Sequence, residues 1–211
     1  MTTDISKPTI SIIVAALKPN LGIGYQGKLP WRLRKEIKYF KDITTQVKNH
    51  DHINAVIMGR RTWDSIPNKF KPLPNRINVV LSRSFKNEII DSNVIHANSI
   101  DVALNQLSNK DQLKKSIERI FIIGGAEIYN ELIHDSRIDH LLITEVENSN
   151  KDHQVPIDTF LNFPIYDSNN NGGWIKSSKS ELQEFAGDDI SIEDDIKEGD
   201  FVYNYTLWKR K

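Results

Sequence analysis

Short apolar runs alternate with stretches of helical periodicity along most of the chain. Ile10–Ala16 is apolar apart from Ser11, and Ala55–Met58, Ile77–Leu81, Ile120–Ile123 and His140–Val146 are similar. Runs of this length predict strands buried on both faces. Between them, Arg32–Ile43, Val102–Leu107 and Glu127–Ile133 predict helices. Such alternation implies an α/β fold with a mostly parallel sheet flanked by helices. The last third changes character. Asp167–Gly173 reads as a turn or loop insert, and the acidic stretch Gly187–Gly199 as a solvated loop. Phe201–Trp208 alternates aromatic and polar residues, which predicts a terminal strand with one exposed face. A partner strand is expected near Lys176–Phe185, adding antiparallel edges.

At 211 residues the chain suits one domain with a sizeable core. No repeat and no Pro/Gly/Ser linker divides it, so 1–211 reads as a single domain. Lys+Arg and Asp+Glu are balanced at 28 each, without the basic excess of a nucleic-acid or membrane-surface binder. Any positive field must be local. There is no cysteine, which excludes disulfides and thiolate metal sites and fits a reducing, cytoplasmic setting. The opening MTTDISKPTISIIVAAL lacks a basic leader and reads as a first strand rather than a signal peptide. No run of about 18 apolar residues occurs, so no membrane span is expected. His50 and His52 lie in a polar linker and read as solvated, so no metal site is expected.

One helix carries an anomaly. At 100° per residue, Leu33, Ile37, Phe40 and Ile43 form one apolar stripe. Arg34, Lys35, Lys38, Lys41 and Asp42 fall opposite, and Pro30 suits an early position. Glu36 lies inside the stripe, one turn before Phe40. A carboxylate there must be desolvated, partnered, or both, and burial raises its pKa. A ring ligand with N–H donors is one suitable partner. The commoner arrangement is a stripe-edge carboxylate that reaches solvent or meets a basic side chain.

Three strand ends lead into turns suited to anions. In Ala55-Val-Ile-Met-Gly-Arg-Arg-Thr62, Gly59 permits an unusual turn before a helix start, and Arg60 and Arg61 add charge. Ser82 and Arg83 follow the strand end of Val79-Val-Leu81. Ligands in open α/β sheets bind beyond the carboxyl ends of strands. Two basic turns there suggest separate phosphates, although each turn alone is more often a solvated Arg surface. Gly124-Gly125 sits between a strand and a helix, where paired glycines allow close backbone approach. The Gly124-Gly125 turn is not GxGxxG, and no phosphate-loop GxxxxGK[ST] is present, so a Rossmann domain or P-loop kinase is poorly supported.

Taken in order, these segments closely resemble dihydrofolate reductase. The matching pieces are Ile13-Val-Ala-Ala16, Leu21-Gly-Ile-Gly24, Leu29-Pro-Trp31, Arg34-Lys-Glu-Ile-Lys-Tyr-Phe40, Val56-Ile-Met-Gly-Arg-Arg-Thr-Trp-Asp-Ser-Ile-Pro67, Leu73-Pro-Asn-Arg76, Val80-Leu-Ser-Arg83, Ile122-Ile-Gly-Gly-Ala-Glu-Ile-Tyr129 and Leu142-Ile-Thr-Glu145. They cover most of the chain. Phe201-Val-Tyr-Asn-Tyr-Thr-Leu-Trp208 is similar to the larger eukaryotic, especially fungal, members.

The resemblance implies a mixed, mainly parallel eight-stranded sheet with about four helices. It implies NADPH as cofactor, dihydrofolate as substrate, antifolates as inhibitors, and a cytoplasmic monomer serving one-carbon metabolism, with no nucleic-acid or membrane partner. By the family pattern Glu36 binds the pterin amino group and ring nitrogen, with Thr144 supporting it through water. Trp31 reads either as a cap on the pocket that binds an ordered water or as a core aromatic. Ile13, Val14, Ala15, Leu29, Ile37, Phe40, Thr62, Ile66, Pro67, Leu73 and Ile123 line the substrate pocket. Arg76 grips the α-carboxylate of the glutamate tail, and Tyr129 sits near the nicotinamide end. Ala15, Ala16, Ile23, Gly24, Gly27, Lys28, Gly59, Arg60, Arg61, Thr62, Leu81, Ser82, Arg83, Ser84, Ile123, Gly124, Gly125, Ala126, Glu127, Ile128 and Tyr129 are cofactor positions. The loop Leu21–Leu29 closes over the nicotinamide. Lys71-Pro72 and Gly124-Gly125 are the family's cis peptides; on bond energetics alone only the first is expected.

The chemistry implied is hydride transfer to C6 of dihydrofolate with protonation of N5, giving tetrahydrofolate for thymidylate and purine synthesis. Two alternatives share the fold. One is the related NADPH-dependent pyrimidine reductase of riboflavin synthesis, and the other is a non-catalytic binding protein. The Glu36/Phe40 pair and Arg76 suit a pterin with a glutamyl tail and argue against the first, and the intact cofactor and pterin positions argue against the second.

Overall fold

Parallel pairing of apolar strands organises the first of two units into which the chain folds. The computed structural model describes residues 7–109, 111–167 and 171–211. One unit comprises residues up to Ser11 together with Thr44–Ile122, the other Ile12–Ile43 together with Ile123–Lys211.

In the first unit, β3 (His52–Gly59) lies between β4 (Arg76–Leu81) and β7 (Ser116–Ile122), parallel to both. Outward from β4 come β6 (Val94–Ala97), parallel, and then β5 (Glu88–Asp91), antiparallel. The continuous apolar runs are explained by burial: Ile57, Met58, Val79, Val80, Phe121 and Ile122 have no solvent exposure. Strand β3 passes directly into α2 (Arg60–Ser65), and α3 (Ile100–Ser108) starts at Ser99, whose hydroxyl accepts the Val102 N–H. Two buried asparagines brace this unit. Asn54 donates to Thr44 O and Gln46 O and accepts from Arg119 N–H. Asn78 donates to Leu73 O and Arg76 O and accepts from Leu73 N–H. Each thereby pins a loop that a strand alone would leave free.

The second unit is built on antiparallel pairing. β8 (His140–Asn148) pairs along its length with β12 (Phe201–Arg210), placing Thr144 opposite Tyr205. β10 (Trp174–Lys176) and β11 (Ile196–Glu198) also pair with β12. β1 (Thr9–Leu17), whose first three residues belong to the first unit, carries the first apolar run, and its end pairs with β2 (Gly22–Gly24). β2 in turn pairs with β9 (Thr159–Phe160). The helices are α1 (Arg34–Thr45), whose last two residues belong to the first unit, α4 (Ala126–Leu132) and α5 (Lys179–Ala186).

The α/β class and the mixed sheet agree with the sequence reading, but the element counts do not. Twelve strands and five α-helices occur among the described residues, against the expected eight and four. The short strands β2, β5, β9, β10 and β11 have two to four residues, too few to show a period. Lys176–Phe185 is not a strand beyond its first residue. Ser178 and Glu181 form a reciprocal capping box, and Leu182 and Ala186 are the buried i, i+4 pair of α5. The acidic stretch Gly187–Gly199 contains β11, so it is not wholly a solvated loop. His52 opens β3 rather than lying in a linker, and its Nδ1 stands 3.6 Å from the Glu118 carboxylate. Part of the Asp167–Gly173 insert, residues 168–170, lies outside the described residues.

Candidate active site

Leu33, just before helix α1, and Glu36, Tyr39 and Ile43 within it form one buried face. That face is rotated from the expected stripe, since Ile37 is 50 % exposed and Phe40 only half-buried. Tyr39 explains the rotation. Its ring stacks on Tyr205 with centroids 3.7 Å apart, and the Tyr205 hydroxyl donates to Lys35 O at 3.3 Å. The same strand, β12, pairs with β8, so the aromatic clamp sets α1 over Thr144.

Glu36 is consequently 9 % exposed. Its Oε1 accepts one hydrogen bond, from the Thr144 hydroxyl at 3.3 Å. No cation forms an ion pair with it among the described residues. Burial pushes its pKa up to about 7; the Thr144 hydrogen bond pulls against that, and the nearby Glu198 carboxylate adds to it. A carboxyl in this state is half-protonated near neutrality and keeps unused lone pairs for donors on a ligand.

Around it in the second unit, Ile13, Val14 and Ala16 are buried on β1, with Ala15 half-buried. The Tyr129 hydroxyl donates to Ile13 O at 2.8 Å, and burial raises its pKa far above the ordinary phenol value. Gly124 lies against that ring. A Cβ at Gly124 would stand 3.1–3.2 Å from ring and hydroxyl atoms of Tyr129, and its φ of +113° is in the glycine-favouring region. The Gly124-Gly125 peptide is cis, as is Lys71-Pro72, and Lys18-Pro19 joins them unforeseen. Trp31 is 8 % exposed and packs edge-on against Phe201 at 5.9 Å. Leu29 is 62 % exposed, so it and Ile37 form uncovered apolar surface near the start of α1. Ile23 is buried in β2, Gly24 half-buried at its end, and Gly27 and Lys28 exposed beyond it. Ile123, Gly125, Ala126 and Ile128 are half-buried, and Glu127 is exposed at the first turn of α4.

The loop Leu21–Leu29, expected to close over the nicotinamide, is partly tied down. Asp158 accepts the Gln26 N–H at 2.8 Å and donates its own N–H to Gly24 O at 3.0 Å. The Gln26 hydrogen bond holds the Asp158 carboxyl below the usual range.

The first unit carries a second set. Arg76 is 3 % exposed at the start of β4. Its Nε donates to Pro74 O at 3.0 Å and its Nη1 to the Thr44 hydroxyl at 2.9 Å. No carboxylate pairs with it among the described residues, and burial lowers its pKa to about 10. A buried guanidinium without an anion is costly, and an anionic ligand group relieves that cost. Leu73 and Leu81 are half-buried, as are Thr62, Ile66, Gly59 and Ser82, while Pro67 and Ser84 are exposed. Arg60, Arg61 and Arg83 project into solvent. Arg60 meets Asp64 at 3.7 Å and lies over the Phe85 ring at 5.5 Å, and Phe85 stacks on His96. Arg61 pairs with no acidic side chain among the described residues.

Comparison with known proteins points to one family. The family model described as dihydrofolate reductase matches residues 9–190. The chain belongs to the dihydrofolate reductase family. It is 60 % identical over 206 residues to dihydrofolate reductase of Candida albicans, covering 98 % of this chain and 100 % of that one. It is 38 % identical over 209 residues to dihydrofolate reductase of Saccharomyces cerevisiae, covering 94 % and 95 % of the two chains. The solved structure of Schistosoma mansoni dihydrofolate reductase superposes with a TM-score of 0.72 at 28 % identity, covering 98 % of this chain and all of that one. The fungal resemblance is thereby supported, and the pyrimidine reductase reading is not favoured.

Side chains that pattern reasoning missed are Thr44, Tyr205, Glu198 and Asp158. Each acts through a contact far away in sequence, and none carries a local signature.

Proposed function

We propose that the chain catalyses NADPH-dependent reduction of 7,8-dihydrofolate to 5,6,7,8-tetrahydrofolate, with 1–211 acting as one catalytic domain. The observation that carries this is Glu36, a buried carboxyl with a pKa of about 7 whose one hydrogen-bond partner among the described residues is a hydroxyl. An amino group and an adjacent ring N–H on a pterin edge match the two oxygens of such a carboxylate. Oε1 stays oriented by Thr144, and Oε2 remains open to the heterocycle. Because it titrates near neutrality, Glu36 can hold a proton beside the ring and pass it through water toward N5.

Arg76 suits the α-carboxylate of the glutamyl tail, an anion that its surroundings lack. Leu29, Ile37 and Phe40 supply apolar surface for the middle of the substrate. The donor chemistry also fits a dinucleotide phosphate. Arg60, Arg61, Ser82 and Arg83 are cationic or hydroxyl groups at two strand ends, which suits NADPH with its extra phosphate. Gly124 and Gly125 would bring backbone close to the nicotinamide half. When bound, the reduced nicotinamide supplies the hydride. The protein's part is alignment, charge and exclusion of water. Antifolates that carry ring N–H donors would compete for Glu36. The balanced charge favours small-molecule ligands over nucleic acid or lipid, and we take the protein to be a cytoplasmic monomer.

The test is loss of reduced-nicotinamide absorbance with purified protein and dihydrofolate, comparing NADPH with NADH. Turnover with strong preference for NADPH supports the reading. Absence of dihydrofolate-dependent oxidation overturns it.

A further inference from the structure

Lys35 is the second residue of α1, so its N–H is one of the donors that a helix cannot satisfy from within. The Glu198 carboxylate accepts it, with Oε1 at 3.1 Å and Oε2 at 3.4 Å. The Lys35 carbonyl accepts the Tyr205 hydroxyl at 3.3 Å. Both backbone groups of this residue are therefore held from β11 and β12, and the next side chain along is Glu36. Glu198 is itself held. It ends β11 opposite Phe201 of β12, and the Tyr203 hydroxyl donates to its Oε2 at 3.1 Å. No basic side chain forms an ion pair with Glu198 among the described residues; the Lys35 ammonium turns to Glu193 instead, at 3.3 Å.

A carboxylate in this place anchors the first turn, where the positive end of the helix dipole favours it. We propose that Glu198 is a positioning residue for the reaction, fixing through the Lys35 N–H the turn of α1 that sets Glu36 against Thr144. Its charge then acts on the group it positions. Like charges disfavour ionisation, so Glu198 helps Glu36 to keep its proton. The other titratable groups that face Glu36 are phenols, Tyr129 on α4 and Tyr205 on β12. Burial raises both above the ordinary phenol range, so they stay neutral. Thr144 on β8 supplies a neutral donor. Among the described residues Glu198 is thus the charged side chain that acts on Glu36. The inference rests on the reading of Glu36 given above, since a working pterin site is what makes that position matter for turnover.

Two substitutions separate reach from charge. Glu198→Gln keeps the reach and an acceptor oxygen but removes the charge. Glu198→Asp keeps the charge but falls one methylene short of Lys35. The test follows the Glu36 carboxyl by carbon NMR titration of the ligand-free protein, with Glu36→Gln assigning the signal, beside kcat/KM for dihydrofolate from about pH 5 to 9. Glu198→Gln should lower the midpoint by roughly 0.3–1 pH unit in both readouts. Glu198→Asp should move it less, while exchange of the Lys35 amide quickens and kcat/KM at low pH falls about three- to tenfold. Glu193→Gln removes an exposed acid of the same neighbourhood and should leave the midpoint in place. The proposal is overturned by an unmoved midpoint in Glu198→Gln, by an equal shift in Glu193→Gln, or by Glu198→Asp matching wild type in both amide exchange and low-pH kcat/KM. Absence of dihydrofolate reduction by the wild type overturns the functional reading and this role with it, whatever the titration shows.

Discussion

The Thr144 hydroxyl, on β8, reaches Oε1 of Glu36, on α1, at 3.3 Å, and it provides the sole hydrogen bond that this buried carboxyl receives from the described residues. The bond favours the ionised form, so it opposes the larger effect of burial. Thr144→Val keeps the shape and removes the donor. The upper pKa in the pH profile of dihydrofolate reduction should then move further up, which steady-state rates at constant ionic strength will show.

Stability should record the same carboxyl. Glu36 titrates near 7 in the folded protein and near 4.5 unfolded. Below about pH 4.5 both states are protonated and nothing is lost. As pH rises past that value the unfolded chain ionises first, so unfolding becomes easier until the folded carboxyl also ionises near pH 7. The loss is on the order of 3 kcal/mol across that window. Glu36→Gln should remove this pH dependence, whatever constant cost its amide brings. Urea unfolding of both proteins at several pH values between about 4.5 and 8 checks it.

Arg76 should matter for tail recognition and little for chemistry. Arg76→Lys replaces a fork with a point charge, and the KM for dihydrofolate should rise by about ten- to a hundredfold with a smaller change in kcat. A pterin substrate without a glutamyl tail should be handled equally by both proteins.

Gly124→Ala should destabilise the fold by roughly 1–3 kcal/mol, because the new methyl meets the Tyr129 ring and occupies a left-handed φ. Tyr129→Phe removes the hydroxyl at that contact and should recover part of the loss. Thermal unfolding of both single variants and the double variant measures the coupling.

Asp158→Ala should loosen the Gly24–Lys28 turn, since it removes the acceptor for Gln26 N–H. Hydrogen exchange at Gln26 should quicken by about tenfold or more, with the NADPH KM rising.

Much of this was legible in the chain. The buried parallel strands announce themselves as unbroken apolar runs, and Glu36 shows as a charge within a helical stripe. Which face of α1 is buried was less legible, because Tyr39 wins its place through stacking on Tyr205, a partner most of a chain length away. Leu33 and Ile43 fell where expected, while Ile37 turned outward. Helix α5 carries a capping box at Ser178 and Glu181, legible as S-x-x-E in the chain, where a strand was expected. Glu198, Asp158 and Thr44 reach the site only through tertiary contacts, where periodicity is silent.

The central claim is that Glu36 holds the proton and the heterocycle. Its most direct test is kcat/KM for dihydrofolate in wild type and Glu36→Gln from about pH 5 to 9. The wild-type value should fall as pH rises through the carboxyl's titration, and the variant should lose about 10²–10⁴-fold near neutrality with that fall absent. A Glu36→Gln enzyme matching wild type across the range would contradict the account.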